Sequence, residues 1–405
     1  MSRTKKANQT NKASQSNIAS QTKKKNQNKI IQSAPKGALL IISMPLIVDA
    51  HADIAYNMLK YGRDYTRSAA ETRRLEAGTQ TIVDNEDTLL GWDDYQRGRV
   101  AVIFSTLFAV PMRFSKTETE KQVYKNFDEA HKLYYEQLLT YHRMTDSIPD
   151  KFRLIVSTSD LNLILSDWNF PNMNGHPVGM VILMEGAECV RHPSELQEWY
   201  ELGVRLIGPA WVGTRYCGGW REPGPLTDDG HELLAAMAEY NFTLDLSHMD
   251  EPAAIEALDI YRGPIVGTHA NCAALMPNSN SNRHFSDRII EGIIERDGVV
   301  GVVPFNTYLK VGWVSGKNSR TEVPLHHVVN HIDHICQLAG DSLHAGIGSD
   351  FDGGFGLQSV PPEIDSIADL QNLVSLLQTR GYSESDISNI LGGNWLTRLK
   401  RDLPS

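Results

Sequence analysis

The stretch Leu46–Asp53, LIVDAHAD, is an apolar run that stops on two residues able to bind a metal. In a β-strand, alternate side chains point the same way, so His51 and Asp53 are presented together at the end of the strand. The pattern His-x-Asp is common by chance, and a solvated strand end is its more frequent explanation. The motif therefore gains meaning only from the rest of the chain.

The composition is that of an ordinary globular chain with an acidic balance. Of the 405 residues, 41% are hydrophobic and 22% are charged, and the formal net charge is -10. An acidic balance disfavours nucleic acid as a partner. The longest apolar run, Gly37–Val48, is interrupted by Pro45 and leads into Asp49, so no membrane span is predicted.

The cysteine pattern excludes two further classes of protein. The four cysteines are far apart in the sequence, and none forms a Cys-x-x-Cys pair: Cys189, Cys217, Cys272 and Cys336. This spacing argues against a zinc ribbon and against a small disulfide scaffold. A reducing compartment fits it best.

Residues 1–43 differ from the rest of the chain. They are rich in Lys, Asn, Gln and Ser and carry only basic charges, a composition that cannot bury a core, so we expect disorder. A solvated tail, a targeting peptide and an incorrect start upstream of Met44 are all open, although scarce arginine disfavours targeting. Residues 44–405 are predicted to form a single catalytic domain.

From Met44 onwards, short apolar runs alternate with amphipathic stretches. After the opening stretch, strands are predicted at Val100–Leu107, Val178–Met184, Val204–Gly208, Phe242–Leu246, Pro264–Thr268, Val299–Pro304 and Ala345–Gly348. Helices are predicted at Glu118–Tyr141, Ser194–Leu202, Gly230–Tyr240, Pro252–Leu258, Asp287–Asp297, Leu325–Leu338 and Asp365–Gln378. Roughly eight such units predict an α/β fold, a (β/α)8 TIM-type barrel, with a doubly wound open sheet as second choice.

Four further predicted strands end on residues that can bind a metal. These strand ends carry Glu185, His248, His269 and Asp350. In a parallel barrel the carboxyl ends of the strands meet at one mouth, so all six side chains are expected together. Imidazole with carboxylate is the ligand mix of zinc and similar ions, and a carboxylate between two groups of ligands can bridge two metals. Two close metals would lower the pKa of a water between them and polarise a carbonyl.

The motifs also resemble those of a known family, in the family's own order. They are Asp49–Asp53, Met184-Glu185-Gly186, Asp245–His248, Gly267–Ala270, Arg283 followed by Asp287, and Gly348–Gly353. This set resembles the membrane (renal) dipeptidase family of zinc peptidases, metal-dependent barrels of the amidohydrolase kind. The resemblance extends from about Met44 to Trp395.

The resemblance implies a role for each matching residue. The metal ligands of the predicted binuclear zinc centre are His51, Asp53, Glu185 as the bridge, His248 and His269. A metal-bridged hydroxide would attack the peptide bond of a dipeptide. Asp350 would transfer the proton to the leaving amine, and Arg283 would pair with the substrate's carboxylate. The family further implies a homodimer.

One residue departs from the family's pattern. Trp211 occupies the position of a histidine that helps to stabilise the oxyanion, and an indole cannot become cationic. Arg215 and Tyr216 are candidates to replace that histidine. Alternatively, Trp211 stacks on a different small carboxylated substrate of an amidohydrolase-like hydrolase. A non-catalytic barrel is the third hypothesis. A metallo-dipeptidase is the first, and a cytoplasmic location is expected because neither a secretion signal nor a hydrophobic anchoring tail is recognised.

Overall fold

Eight parallel strands form the centre of the molecule. The structure, a computed structural model, describes residues 44–115, 120–170 and 175–405. The strands of the central sheet are β1 (Ile47–Ala52), β2 (Val100–Leu107), β3 (Val178–Glu185), β4 (Val204–Gly208), β5 (Thr243–Asp245), β6 (Ile265–Val266), β7 (Val300–Val302) and β8 (Ala345–Ile347). All eight coincide with predicted strands, several being shorter by one or two residues at an end and β3 being longer by one.

The order of the strands is that of a barrel. Each strand pairs in parallel with its neighbours in the sequence, and β8 pairs with β1. A single parallel bridge between Gly267 and Val300 joins β6 to β7. The α/β, TIM-type barrel prediction is therefore confirmed, and the open sheet is not the fold.

Helices connect the strands and cover the outside of the barrel. They span Ile54–Tyr61, Ala69–Glu76, Gln80–Asn85, Trp92–Gly98, Phe127–Ser147, Thr158–Asn169, Leu196–Glu201, Asp228–Glu239, Glu251–Ile260, Asp287–Glu295, Asn306–Leu309, His326–Ala339, Leu373–Arg380, Glu384–Ser388 and Asn394–Asp402. Short strands lie outside the barrel order at Val110–Pro111, Val123–Tyr124, Phe152–Leu154, Cys217–Gly219 and Glu222–Leu226. Within the described ranges, no helix is long and apolar enough to cross a membrane.

Local sequence explains where these elements begin. The helix predicted from Glu118 begins at Phe127, because the Asn126 side chain accepts a hydrogen bond from the backbone N–H of Glu129 at 3.0 Å. The predicted residues 118–119 lie outside the described ranges. The strands β1, β2 and β3 are buried along their whole length, as expected for parallel strands covered on both faces.

Two glycines allow three strand ends to approach closely. A Cβ added at Gly301 or at Gly348 would lie 2.0 or 1.8 Å from the carbonyl oxygen of Thr268. Only glycine fits such a contact, so the ends of β7 and β8 can crowd against the residue that precedes His269. Residues 44–405 form one compact unit, and the predicted tail at residues 1–43 lies outside the described residues.

Candidate metal centre

Five of the predicted site residues meet at the carboxyl end of the barrel. His51 lies in β1 and Glu185 ends β3, while His248, His269 and Asp350 each come three residues after the end of β5, β6 and β8. The side chains of His51 and His269 are fully buried, and that of Glu185 is 8% exposed. Side chains from five strands thus converge on one small volume.

Glu185 lies between two groups of imidazoles. Its Oε1 atom is 2.9 Å from Nε2 of His248 and 3.4 Å from Nε2 of His269. Its Oε2 atom is 3.6 Å from Nε2 of His51. A carboxylate with one oxygen toward each group has the arrangement that a bridge between two ions requires.

The other group of candidate ligand atoms surrounds His51. Atoms of His51, Asp53 and Asp350 lie within 4.8 Å of one another, and so do atoms of His51, Glu185 and His269. Asp53 precedes the helix Ile54–Tyr61 without capping it, because its carboxylate instead accepts a hydrogen bond from the Thr106 hydroxyl. The alternative explanation of this motif as a solvated strand end does not hold, because His51 and Asp53 are both buried.

Strained backbone occurs at the centre. His248, Asp350 and Asp352 have φ angles of 68°, 57° and 66°, in the left-handed region that non-glycine residues seldom adopt. Each such residue costs on the order of 1 kcal/mol or more and persists only where surrounding contacts hold it. Strain of this kind concentrates at functional sites, and here it directs two of the predicted site side chains into the mouth of the barrel.

Burial alters the acidity of these groups. It raises the pKa of Glu185 to about 8 and that of Asp53 to about 6, because no water solvates the charged forms. Burial, with Arg283 and His51 nearby, lowers the pKa of His248 and of His269 well below the usual value. Neutral imidazoles are in the state that binds a divalent cation, whereas Glu185 would release its proton as the cation binds.

The hydrogen bonds behind His269 fix its tautomer. The Thr268 hydroxyl donates to Asp245, so its oxygen accepts from Nδ1 of His269 at 2.9 Å. The Nε2 lone pair of His269 then faces Glu185 and His248, whose own Nε2 lies 3.0 Å away. Nε2 of His51 is buried and has no hydrogen-bond partner in the part of the chain that the structure describes. Imidazole nitrogens that point toward one place, with no N–H or O–H donor supplied to them there, are suited to bind a metal ion.

Two supporting carboxylates lie in motifs quoted from the sequence but received no role there. Asp49 is fully buried, and its two oxygens accept hydrogen bonds from the backbone N–H and the hydroxyl of Ser349, both at 2.6 Å. Asp245 accepts from the backbone N–H groups of Ser247 and Thr268 at 3.0 and 2.8 Å. Each aspartate follows apolar residues of a buried strand, and a charge in that position is the signal that could have revealed its role.

Arg283 is buried beside the centre. Its side chain donates to the carbonyl oxygen of His269 at 2.6 Å, while Nε and Nη1 have no hydrogen-bond partner among the described residues. Its Cζ atom lies 5.6 Å from the centre of the Tyr308 ring. A buried guanidinium with unused donors is suited to a carboxylate.

A cavity of about 460 Å³ opens above the centre. Its lining includes Asp53, Glu185, His248, Asp350 and Trp211. The Trp211 ring lies 6.3 Å from the His248 ring, measured between centroids. The structure therefore brings Trp211 to the metal centre, as its predicted role requires.

Arg215 and Tyr216 are placed elsewhere. The Arg215 guanidinium donates to the carbonyl oxygens of Val190 and Arg191 at 2.6 and 2.7 Å, and the Tyr216 hydroxyl also donates to Val190. Neither residue is among those that line the cavity. Their proposed substitution for the absent histidine stays a prediction without geometric support.

The barrel and its buried His, Glu and Asp side chains define a metal-dependent hydrolase. Residues 38–402 match the model of the membrane dipeptidase family, peptidase family M19. The chain belongs to this family, and the resemblance noted in the sequence is confirmed. It is thus a metallopeptidase of the dipeptidase class with a metal cofactor.

Individual proteins show the same relationship. A protein of unknown function from the pqqA 5′ region of Klebsiella pneumoniae is 30% identical over 276 residues, 66% of this chain and 94% of the relative. Dipeptidase ataJ of Aspergillus terreus is 26% identical over 401 residues, 93% of this chain and 88% of the relative. A Rhodobacter sphaeroides metallopeptidase structure, with a phosphinate mimic of the dipeptide L-Ala-D-Ala, has a TM-score of 0.70 at 23% identity, covering 89% of this chain and 100% of that chain.

Proposed function

We propose that this protein hydrolyses the peptide bond of dipeptides with two zinc ions at the carboxyl end of the barrel. The observation that carries the proposal is the buried Glu185, whose two oxygens face different groups of imidazoles. Relatives support the substrate class, because one is named a dipeptidase and one structure holds a dipeptide mimic.

The chain supplies ligands for two ions. His51 and Asp53 would hold one, His248 and His269 the other, and Glu185 would contact both. Bound there, divalent zinc would lower the pKa of water and polarise the scissile carbonyl. The ligand set of imidazoles and carboxylates favours zinc over magnesium or calcium, which prefer oxygen ligands.

Arg283 would orient the substrate. Its Nε and Nη1 atoms have no hydrogen-bond partner among the described residues, so the guanidinium keeps N–H groups that can donate to a substrate carboxylate. A dipeptide held by its free carboxylate has its single peptide bond at a fixed distance from that group. This anchor would place the last peptide bond of the substrate at the metal centre, and in a dipeptide that bond is the one to be cut.

Asp350 would move the proton. Its Oδ1 atom is 3.8 Å from Nε2 of His51, and the carboxyl also lines the cavity. Burial raises the pKa of Asp350 well above the usual range, with Asp53 and Glu185 contributing. A carboxyl that can hold a proton near neutral pH is suited to carry one from the attacking water to the leaving amine.

Trp211 makes the oxyanion side of the site unusual. Its indole N–H can donate a hydrogen bond but cannot gain or release a proton at neutral pH. The family membership favours a dipeptidase over a different small carboxylated substrate or a non-catalytic barrel. If Trp211→His increases turnover of dipeptides generally, the native tryptophan is a specialisation and not a requirement of the chemistry.

The decisive test combines metal analysis with a dipeptide panel. Purified protein is expected to hold close to two equivalents of zinc and to release free amino acids, measured by chromatography. Asp350→Asn is expected to retain both metals but to lose turnover. Zinc binding without hydrolysis of any dipeptide would support the other substrate class, and failure to bind zinc at neutral pH would support the non-catalytic barrel.

Two further features of the proposal concern assembly and location. We expect a homodimer, to be measured by light scattering at several protein concentrations. A cytoplasmic location is consistent with four buried cysteines that form no disulfide. Fractionation of the native cell would test it.

A further inference from the structure

Four aromatic side chains form one wall of the cavity. The rings of Phe108, Phe114 and Trp220 surround Trp211 at centroid distances of 5.0, 6.1 and 5.6 Å. All four residues line the same cavity as Glu185. We call these four residues the aromatic wall.

The aromatic wall lies directly beside the metal centre. The rings of Trp211 and Trp220 are 6.3 and 6.4 Å from the His248 ring. A substrate whose peptide bond sits at Glu185 would therefore place a neighbouring side chain against these rings. The wall is thus close enough to act on substrate selection.

Contacts between two loops hold the wall in place. Phe108 and Phe114 follow β2, while Trp211 and Trp220 follow β4. The loops are joined by Arg113, whose Nε donates to the Glu222 carboxylate at 2.8 Å and whose Nη2 donates to the Gly213 carbonyl at 2.6 Å. Within the second loop, the backbone N–H of Trp220 donates to the backbone carbonyl oxygen of Trp211 at 3.1 Å. Rings that are already positioned lose little conformational freedom on binding.

The chemistry of the wall favours an uncharged, flat side chain. The four rings carry no formal charge, and aromatic rings pair with one another beyond the effect of area burial alone. Of the cations that line the cavity, Lys60 pairs with Glu120 and donates to the Tyr56 hydroxyl, and the Arg221 guanidinium lies 3.9 Å from the centre of the Trp220 ring. A charged substrate side chain placed against the uncharged rings would lose water, whereas a flat uncharged one would not.

We infer that the aromatic wall selects dipeptides that carry one aromatic side chain. This inference rests on the proposed function, because it names the substrate class of the same centre. The cavity volume of about 460 Å³ falls within the range of pockets for drug-sized ligands, so it holds more than two small residues. Trp211 would then contact the aromatic side chain of the substrate.

The test compares dipeptides that differ only in the aromatic ring. With zinc-loaded protein, kcat/KM for Phe-Ala or Ala-Phe is expected to exceed that for Ala-Ala by about 10-fold or more. Trp211→Ala should bring that ratio close to one, and Trp211→Phe should retain part of it. Phe170→Ala, an exposed ring that does not line the cavity, serves as the matched control and should leave the ratio unchanged.

A binding measurement separates selection from catalysis. Zinc-loaded Asp350→Asn protein is titrated with Phe-Ala, Ala-Phe and Ala-Ala while tryptophan fluorescence is recorded. The better aromatic dipeptide should bind about 10-fold more tightly than Ala-Ala. If Trp211→Ala fails to fold, Phe114→Ala on the other loop provides the second test.

The outcomes distinguish the two levels of inference. Equal kcat/KM and equal affinity for Ala-Ala and both aromatic dipeptides would overturn the aromatic wall while leaving the dipeptidase proposal intact. Failure to hydrolyse any dipeptide would overturn the proposed function, and the titration would still report whether aromatic ligands are preferred. A ratio retained in Trp211→Ala and in Phe114→Ala would also contradict the wall.

Discussion

The two halves of the candidate metal centre are supported in different ways. The first half, His51 and Asp53 with Asp350, rests on a buried ion pair between Arg63 and Asp352, whose Nη1 and Oδ2 atoms are 3.0 Å apart. The second half, His248 and His269, rests on hydrogen bonds to Asp245. Removing one partner of a buried ion pair leaves an unpaired buried charge and strongly destabilises the fold. Hydrogen bonds to the residues around a metal ligand instead set the orientation of that ligand.

The ion pair acts on the first half through a short loop. The backbone carbonyl oxygen of Asp352 accepts from Asn57 at 3.0 Å, and the same amide donates to the carbonyl oxygen of Asp53. Tyr65 donates to the Asp352 carboxylate at 2.8 Å. These hydrogen bonds hold the loop that carries Asp350 against Asp53. In the second half, two backbone N–H groups and the Thr268 hydroxyl donate to Asp245.

The largest expected effect comes from the residue that joins the halves. Glu185→Gln removes the charge that both groups of ligands share, so we expect loss of metal from both positions. Activity should fall by more than the roughly 10- to 100-fold typical of outer partners. Metal content and kcat/KM are measured together, with Glu232→Gln, an exposed glutamate, as the control. Full metal content in Glu185→Gln would contradict the bridging role.

Removing the buried cation should destabilise the first half and the fold with it. Arg63→Met leaves the Asp352 charge buried without its partner, so the free energy of unfolding should fall by about 3–5 kcal/mol. Urea denaturation measures the change. Arg67→Met, four residues away and 41% exposed, is the matched control and should change stability by about 1 kcal/mol or less. Equal effects of the two variants would show that the buried pair is not the support.

Substitutions of the two supporting carboxylates, Asp245 and Asp49, should affect metal affinity and turnover differently. Asp245→Asn disturbs the hydrogen bonds that fix the His269 tautomer, so zinc affinity should fall by about 10- to 100-fold. Asp49→Asn disturbs Ser349, next to Asp350, and should lower kcat more than metal affinity. Chelator competition and steady-state kinetics measure the two effects. The same loss of zinc affinity in both variants would remove the distinction.

The effect that is expected to be smallest at neutral pH concerns the stability of the fold in acid, through the buried His331. Burial lowers the pKa of His331 to about 3, and its Nδ1 accepts from the backbone N–H of Cys272 at 3.1 Å. Between about pH 3 and 6.5 the unfolded chain binds a proton that the native His331 does not, so stability falls as the pH falls.

His331→Asn keeps a possible acceptor for Cys272 but removes the titration. The slope of unfolding free energy against pH should decrease by up to about 1.4 kcal/mol per pH unit below 6.5. Urea denaturation at several pH values measures that slope. His192→Asn, an exposed histidine, should leave it unchanged. An unaltered slope in His331→Asn would mean that the His331 environment is not maintained in solution.

Local patterns were sufficient to predict the eight strands and the type of centre. Parallel strands that are covered on both faces consist of apolar runs, and such runs stand out in the sequence. The ligand-type residues lie at or just after the ends of these runs, so His51 and Glu185 were identifiable without coordinates. The histidines of the Leu325–Leu338 stretch were harder to place, since periodicity did not reveal that His331 is buried against the segment after His269.

What the sequence by itself determined is therefore the barrel, its family and a set of candidate metal ligands, because these depend on spacing along single strands. The tertiary structure alone decided which atoms meet. Closure of the barrel brings Glu185 between His51 and His248, and it sets Arg113 against Glu222 so that rings from two distant loops form the aromatic wall. It also directs Arg215 and Tyr216 toward Val190, away from the site. Such contacts join residues far apart in the chain, so only the packed fold can specify them.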